Sequence, residues 1–111
     1  MKLKIERGEI WWINLDPARG AEIRKQRPCV VVSANAINRW RATPVVVPLS
    51  ASQQDAPPVV VSIPSAGANS VAVVDQMRSV DRNRFVSRGG KLSSKDLSAL
   101  EAAIKGVLEL S

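Results

Sequence analysis

The stretch Glu22–Ser33 reads E-I-R-K-Q-R-P-C-V-V-V-S, and the interpretation of the whole chain starts from it. A charged segment ends at Arg27, Pro28 follows, and the next four residues are an unbroken apolar run. Such a β-branched run predicts a strand, and proline is tolerated at a strand's first residue because a missing N–H costs least there. The sequence therefore predicts a strand over 28–33 with the Arg27 guanidinium fixed at its mouth, a geometry that suits a phosphate.

Six more short segments have the composition of strands, and turn-forming residues separate them. In the first of them Trp11 and Trp12 should point to opposite faces, so we expect one in the core and the other at a groove or an interface. We interpret 15–27 and 50–57 as exposed loops and 34–41 as a short helical turn or loop. The predicted strands are Glu9–Asn14, Thr43–Leu49, Pro58–Ile63, Ser70–Asp75, Gln76–Asp81 and a short last strand within Val86–Lys91.

The end of the chain has the pattern of an amphipathic helix. Ser93 offers an N-cap with an acid, Asp96, three residues on, and apolar residues then repeat at helical spacing up to Leu108. We expect one helix over 94–109 with its apolar face on the sheet. Many short strands and a terminal helix predict one domain over residues 1–111, mainly β with α, folded as a small, partly open β-barrel.

Composition excludes several classes of protein. The chain of 111 residues has one cysteine, Cys29, and no histidine, so an intrachain disulfide, a His general base and His metal ligands are all ruled out. Cys29 lies in an apolar run, which favours a buried, inert thiol. No apolar run is long enough to span a membrane, and the first residues lack the apolar core of a signal peptide, so we expect a cytoplasmic protein.

The positive charge is concentrated in the first 41 residues. The whole chain has 16 Lys and Arg against 10 Asp and Glu, a formal net charge of +6. A basic surface favours polyanions such as nucleic acid, or an acidic protein partner, although it also serves solubility alone. The cations of this region are Lys2, Lys4, Arg7, Arg19, Arg24, Lys25, Arg27, Arg39 and Arg41, against the acids Glu6, Glu9, Asp16 and Glu22.

Metal-free RNA cleavage is one chemistry that these residues would support. A ribose 2′-OH attacks the adjacent phosphorus, so the site must remove that proton, protonate the leaving 5′-oxygen and stabilise the phosphate oxygens. Arg27 suits the third task and is a poor proton donor, because arginine stays protonated. Ser50 ends an apolar strand and is placed to hydrogen-bond the phosphate. Glu22 and Asp75 are candidate bases.

Four segments occur in a characteristic order, namely R-G-E-I-W-W-I-N-L-D-P-A-R-G-A-E (7–22), R-P-C-V-V-V-S (27–33), V-V-V-P-L-S (45–50) and S-V-A-V-V-D-Q-M-R-S-V-D (70–81). Together they resemble the MazF/PemK/Kid family of bacterial toxins. The resemblance covers nearly the whole chain and implies a small SH3-like β-barrel of the CcdB/PemK type with a C-terminal helix. It also implies a homodimeric, metal- and cofactor-independent endoribonuclease that cuts single-stranded mRNA at a short motif. An antitoxin with an acidic, apolar C-terminal tail would block its RNA groove.

The family's pattern gives the candidate residues their roles. The arginine of the R-P motif and the hydroxyl that closes the third strand are here Arg27 and Ser50, and the resemblance makes Glu22 and Asp75 further catalytic candidates. Two positions depart from the Kid pattern, because Ala21 stands where some members have His and Val73 where Kid has Arg. The general acid and base of the Kid pattern therefore cannot both be assigned to matching residues of this chain. We expect RNA contacts from Arg19, Arg24, Lys25, Asn14, Gln76 and Arg78.

Two alternatives remain open from the sequence. One is a gyrase poison resembling CcdB, which needs a protein-binding terminal helix and no phosphate site. The other is a nucleic-acid-binding barrel without activity. The R-P motif and Ser50 argue against the gyrase poison. Only detection of a cleavage product distinguishes the endoribonuclease from an inactive nucleic-acid-binding barrel.

Overall fold

The computed structural model describes residues 3–15 and 26–111. Single turns of 3₁₀ helix cover Pro64–Ala66, Val74–Gln76 and Arg82–Arg84. The regular elements in this range are β1 (Glu9–Asn14), β2 (Gln26–Val31), α1 (Asn35–Trp40), β3 (Val45–Ser50), β4 (Val60–Ser62), β5 (Val71–Val73), β6 (Arg78–Ser79), β7 (Phe85–Lys91) and α2 (Ser94–Leu108).

The strands form one antiparallel sheet in the order β4-β5-β3-β2-β1-β7, and β6 pairs with the first half of β3. Within the described ranges the sheet does not close, because β4 pairs only with β5 and β7 only with β1. The fold class predicted from the sequence is confirmed as an open, mainly antiparallel sheet with a C-terminal helix. No helix in the described part of the chain is long and apolar enough to cross a membrane.

Apolar clusters lie on both faces of the sheet. One packs beneath α2 and includes Val30, Val47 and Leu100. The other includes Trp11 and Phe85, whose rings meet edge to face with centroids 5.6 Å apart. Alternation along β1 explains the different burial of the two tryptophans, since Trp11 is 5 % exposed and Trp12 is 41 % exposed. The expectation of one core and one accessible tryptophan is confirmed.

The β2 strand starts two residues earlier than predicted, so Arg27 lies inside it and pairs with Ile13. Pro28 is tolerated at this interior position because the ladder between β2 and β3 begins only at Cys29. Strand β7 is also longer than predicted, since it includes Gly89 and Gly90, which the sequence suggested as a turn or a bulge beside it. Its pairing with β1 skips Gly89, where the register shifts.

The predicted strand over 76–81 shrinks to the two residues of β6, and Asp75 and Gln76 form a 3₁₀ turn instead. Pro48 provides the physical reason. Before it in β3, Val45 and Val46 pair with β6. After it, Leu49 and Ser50 pair with β5. Because proline has no N–H to donate, the neighbouring chain leaves the ladder at this point.

Helix α2 begins where the sequence predicted it. The Ser93 side chain accepts a hydrogen bond from the Asp96 N–H at 3.1 Å. Asp96 does not reach back to Ser93 as a capping box would. Its buried carboxylate accepts from the Ser65 N–H at 2.7 Å, while the Ser93 N–H donates to the Ser65 hydroxyl. The helix start is therefore tied to the turn before β5.

Candidate functional site

A groove of about 400 Å³ opens where β2 begins and β3 ends, and we call it the Arg27 groove. Four of the residues predicted to contact or cleave RNA line it, namely Arg27, Ser50, Gln76 and Arg78. The remaining lining residues are Leu15, Pro48, Leu49, Ser52, Gln53 and Val73.

The interruption of the sheet at Pro48 creates this groove. On one side of Pro48 the neighbouring strand is β5, which ends at Val73, and on the other side it is β6, which begins at Arg78. The turn between them carries Gln76 into the groove wall. The groove therefore combines a proline that interrupts the sheet with polar side chains from separate parts of the sequence, namely Arg27, Ser50, Gln76 and Arg78.

The register of the sheet brings Arg27 and Ser50 to the same level. Cys29 pairs with Pro48 in the antiparallel ladder of β2 and β3. Continuing that register two residues toward the groove sets Arg27 opposite Ser50, on the same pleat face as the Cys29–Pro48 pair. Arg27 is exposed and Ser50 is half-buried, so a ligand in the groove reaches both side chains.

Arg78 brings a second guanidinium to the groove. It pairs with Val46 across the ladder of β3 and β6 and is exposed. The charges of both arginines act on the Cys29 thiol. Burial raises the pKa of Cys29 from 9.0 to about 12, while the charges of Arg78 and Arg27 oppose this shift by favouring the thiolate. The prediction of an inert thiol is consistent with this raised pKa and with complete burial of the side chain.

Ser50 takes part in a local hydroxyl pair. Its oxygen accepts from the Ser52 N–H at 3.2 Å and lies 3.2 Å from the Ser52 hydroxyl. Ser52 and Gln53 were not singled out from the sequence, although both line the groove. A polar loop of Ser, Gln and Asp residues carries no signal that marks individual members, and only its position directly after Ser50 points to the groove.

The other predicted site residues are placed differently. Asp75 is exposed and precedes Gln76 in the 3₁₀ turn, but it is not among the groove's lining residues. Asn14 ends β1, pairs with Gln26 and also lies outside the lining, and its carbonyl accepts from Arg84 Nη1 at 3.2 Å. The loop candidates Glu22, Arg19, Arg24 and Lys25 lie outside the described residues.

The described lining of the Arg27 groove is therefore cationic and neutral, with two guanidinium groups, two hydroxyls and two amides and no carboxylate. Guanidinium forks bind phosphate oxygens in pairs, and hydroxyls and amides add hydrogen bonds. Residues 3–15 and 26–111 bring together no group of three Asp, Glu, Cys or His side chains around a common point. A lining of this composition suits the oxygens of a phosphodiester.

Comparison with known proteins agrees with this chemistry. The family described as "PemK-like, MazF-like toxin of type II toxin-antitoxin system" matches residues 6–108. Endoribonuclease MazF9 of Mycobacterium tuberculosis is 36 % identical, over 96 % of this chain and 98 % of its own length. Endoribonuclease PemK of Escherichia coli is 39 % identical, over 81 % of this chain and 68 % of its own length.

A solved structure shows the same fold. The MazE-MazF crystal structure (Form-II) from Deinococcus radiodurans contains a chain that is 25 % identical and superposes with a TM-score of 0.82. The match covers 99 % of this chain and 100 % of that one.

Proposed function

The chain belongs to the family of PemK-like and MazF-like toxins of type II toxin–antitoxin systems, and on that premise we propose that it is an endoribonuclease that cuts single-stranded RNA in the Arg27 groove. The observation that carries the proposal is the convergence of Arg27, Arg78 and Ser50 around one groove with no competing carboxylate among its described lining residues. The activity of the relatives and the composition of the groove lining both support the proposal.

In this mechanism the scissile phosphate lies between Arg27 and Ser50. The ribose 2′-OH attacks phosphorus, the bond to the 5′-oxygen breaks, and the products are a 2′,3′-cyclic phosphate and a 5′-hydroxyl. Negative charge grows on the non-bridging oxygens during attack, and the Arg27 guanidinium stabilises this charge. Ser50 donates its hydroxyl proton to the same phosphate, and Arg78 neutralises a neighbouring one.

Proton transfer needs a group that arginine and serine do not supply. Glu22 and Asp75 remain the two candidates for the general base. Asp75 is the residue directly before Gln76, which lines the groove. We assign the electrostatic role to Arg27 and leave both carboxylates as candidates for the proton.

The partner of such a toxin is an antitoxin, and a basic groove suits an acidic one. We infer that an acidic, apolar tail of the antitoxin occupies the Arg27 groove and excludes RNA. Occupation of one groove by either polyanion explains inhibition by competition, with no change in the toxin's fold.

We also propose that the protein forms a homodimer. A second groove of about 490 Å³ lies between α2 and the ends of β2 and β3, with Val32, Val45, Met77, Ile104 and Leu108 in its lining. Leu108 is 49 % exposed in the isolated chain. Apolar surface of this kind is buried in stable dimers.

The test is cleavage of a single-stranded RNA by the purified protein in excess EDTA, followed by analysis of the new ends. The account predicts a 2′,3′-cyclic phosphate on one fragment and no cleavage of a matched strand whose 2′-OH groups are methylated. Cleavage of the methylated strand, or none of the unmodified strand, would overturn it. A DNA gyrase assay in parallel tests the CcdB-like alternative, which predicts gyrase inhibition and intact RNA.

A further inference from the structure

Trp40 is the most exposed large hydrophobic residue of the described chain, at 77 %. It ends α1 and is flanked in sequence by Arg39 and Arg41. Neither the fold nor the chemistry of the Arg27 groove accounts for an indole held in solvent between two arginines. We call Arg39, Trp40, Arg41 and the adjoining Arg82 the Trp40 patch.

The helix that carries Trp40 is firmly anchored. Asn38 is 1 % exposed, its side-chain amide donates to the Ser33 carbonyl at 3.0 Å, and it accepts from the Ser33 hydroxyl. The Arg7 N–H donates to the Asn35 side chain at 2.7 Å. The Trp40 ring is therefore presented from a fixed base.

The surroundings of Trp40 are cationic. Arg82 donates through Nε to the Arg41 carbonyl at 3.2 Å and through Nη1 to the Leu3 carbonyl at 2.9 Å, which fixes its guanidinium beside α1. Arg39, Arg82 and Lys4 line one depression of about 210 Å³, and Glu6 is also among its lining residues. Among the described residues, Glu6 pairs with Lys4 at 3.5 Å, and Asp81 caps the Arg82–Arg84 turn.

A continuous ladder links the Trp40 patch to the Arg27 groove. Residues 78–82 run beside 42–46, through the pairing of Arg78 with Val46 and the bonds of Val80 N–H to Pro44 O and Arg82 N–H to Ala42 O. At about 3.3 Å per extended residue, Arg82 lies roughly 13 Å along this ladder from Arg78. One single strand can therefore reach both places.

The composition of the patch favours RNA over an acidic protein. The other exposed large apolar side chain on α1 is Ile37, so the apolar area is small for a protein anchor. An exposed aromatic ring between cations is, in contrast, the standard way to hold a single strand, because the ring stacks on a base and the cations contact the phosphates.

We propose that the Trp40 patch is a second contact for the RNA strand whose scissile linkage lies in the Arg27 groove, with Trp40 stacking on a base of the flanking sequence. The inference rests on the proposed function and extends it to the length of strand that the protein grips. It predicts that longer strands bind more tightly than short ones, through Trp40.

The experiment measures the affinity of fluorescein-labelled, 2′-O-methylated single strands by anisotropy, because these probes cannot be cut. One probe has about 2 nucleotides, too few to span the roughly 13 Å between Arg78 and Arg82 at about 3.4 Å per nucleotide of a stacked strand. The other has about 20 nucleotides, which exceeds the site of about 4–16 nucleotides on a small single-strand-binding barrel. Trp40→Ala should weaken the long strand by about tenfold, the size of one lost stacking contact. The short strand should change by no more than about twofold.

Two controls keep the result specific. Trp40→Phe retains an aromatic face and should keep most of the long-strand affinity. Leu110→Ala removes another exposed apolar side chain, 58 % exposed at the far end of the chain, and should change nothing.

An unchanged long-strand affinity in Trp40→Ala would overturn the inference, and so would equal losses for both strands. If that variant instead lost only its affinity for an acidic antitoxin, the patch would be a protein surface and the RNA assignment would be wrong. These outcomes are independent of cleavage, so failure of the proposed function would appear separately, as wild-type protein that leaves unmodified RNA intact.

Discussion

At the scale of single residues, the groove presents positive charge and hydrogen-bonding groups on different side chains. Arg27 and Arg78 supply positive charge, while Ser50 supplies a hydroxyl that accepts a hydrogen bond from its neighbour Ser52. The sequence predicted Arg27 and Ser50 as partners through the family resemblance, since nothing in their spacing shows that they meet. Their common level in the sheet follows from the pairing of Cys29 with Pro48, which local sequence does not encode.

Ser50→Ala should lower kcat by about 10²-fold, because losing one donor to a developing phosphate charge typically costs that much. Ser50→Thr keeps the hydroxyl and should retain most activity. Single-turnover cleavage rates give the comparison. Ser79→Ala, at an exposed position of β6 outside the groove lining, is the matched control, and an equal loss there would refute the specific role of Ser50.

The buried Cys29 thiol predicts a loss of stability at alkaline pH. Its pKa is raised by burial from 9.0 to about 12, so above pH 9 the unfolded chain releases a proton that the folded chain keeps. The free energy of unfolding should therefore fall as the pH rises from about 9 toward 12. Urea midpoints at pH 7.5 and pH 10 should diverge less in Cys29→Ala than in the wild type. An identical pH dependence in both proteins would contradict the burial of the thiol.

At the scale of elements, the strands and α2 follow from composition, whereas their ends depend on tertiary contacts. The helix over 94–109 was predicted almost to the residue, since apolar spacing and a serine cap are local signals. The short β6 was not, because it is set by Pro48 on another strand. Asp75 illustrates the consequence, since a strand residue in the prediction becomes an exposed turn residue in the fold.

Glu9 joins β1 to β7 and to the segment before β1, and it should be a strong determinant of stability. Its buried carboxylate accepts from the Glu6 N–H at 2.8 Å and from Trp11 Nε1 at 3.1 Å, and it pairs with Arg88 Nε at 2.7 Å. Glu9→Ala leaves these donors unpaired and should cost about 2–3 kcal/mol, a value that allows for the solvent exposure of Arg88.

Urea denaturation measures this cost. Glu9→Gln keeps an acceptor and should lose less. Glu6→Ala is the control, since its exposed pair with Lys4 is worth at most about 1 kcal/mol. A Glu9→Ala protein as stable as Glu6→Ala would show that the buried carboxylate does not tie these elements together.

At the scale of the whole molecule, the proposed function assigns one groove to chemistry and another to assembly. The Arg27 groove is polar, and the groove beside α2 is mostly apolar. The sequence indicated a basic protein with a polyanion partner, but it gave no means to tell which surface faces RNA and which faces a second copy. That division depends on how α2 lies across the strand ends, which is a property of the packed chain.

Leu108→Asp should convert the proposed dimer to a monomer, because it sets a charge in the apolar groove. Size-exclusion chromatography with light scattering gives the mass. Leu110→Asp changes a leucine that is also exposed but lies outside that groove, so it should leave the dimer intact. Monomeric wild-type protein, or equal dissociation by both variants, would place the interface elsewhere.

The most direct test of the account is the single-turnover rate at which Arg27→Ala cleaves a single-stranded RNA in EDTA. The account predicts a loss of about 10²–10³-fold or more with an unchanged melting temperature, since Arg27 is exposed and stabilises charge in the transition state. A rate within about threefold of the wild type, in a variant that remains folded, would contradict it.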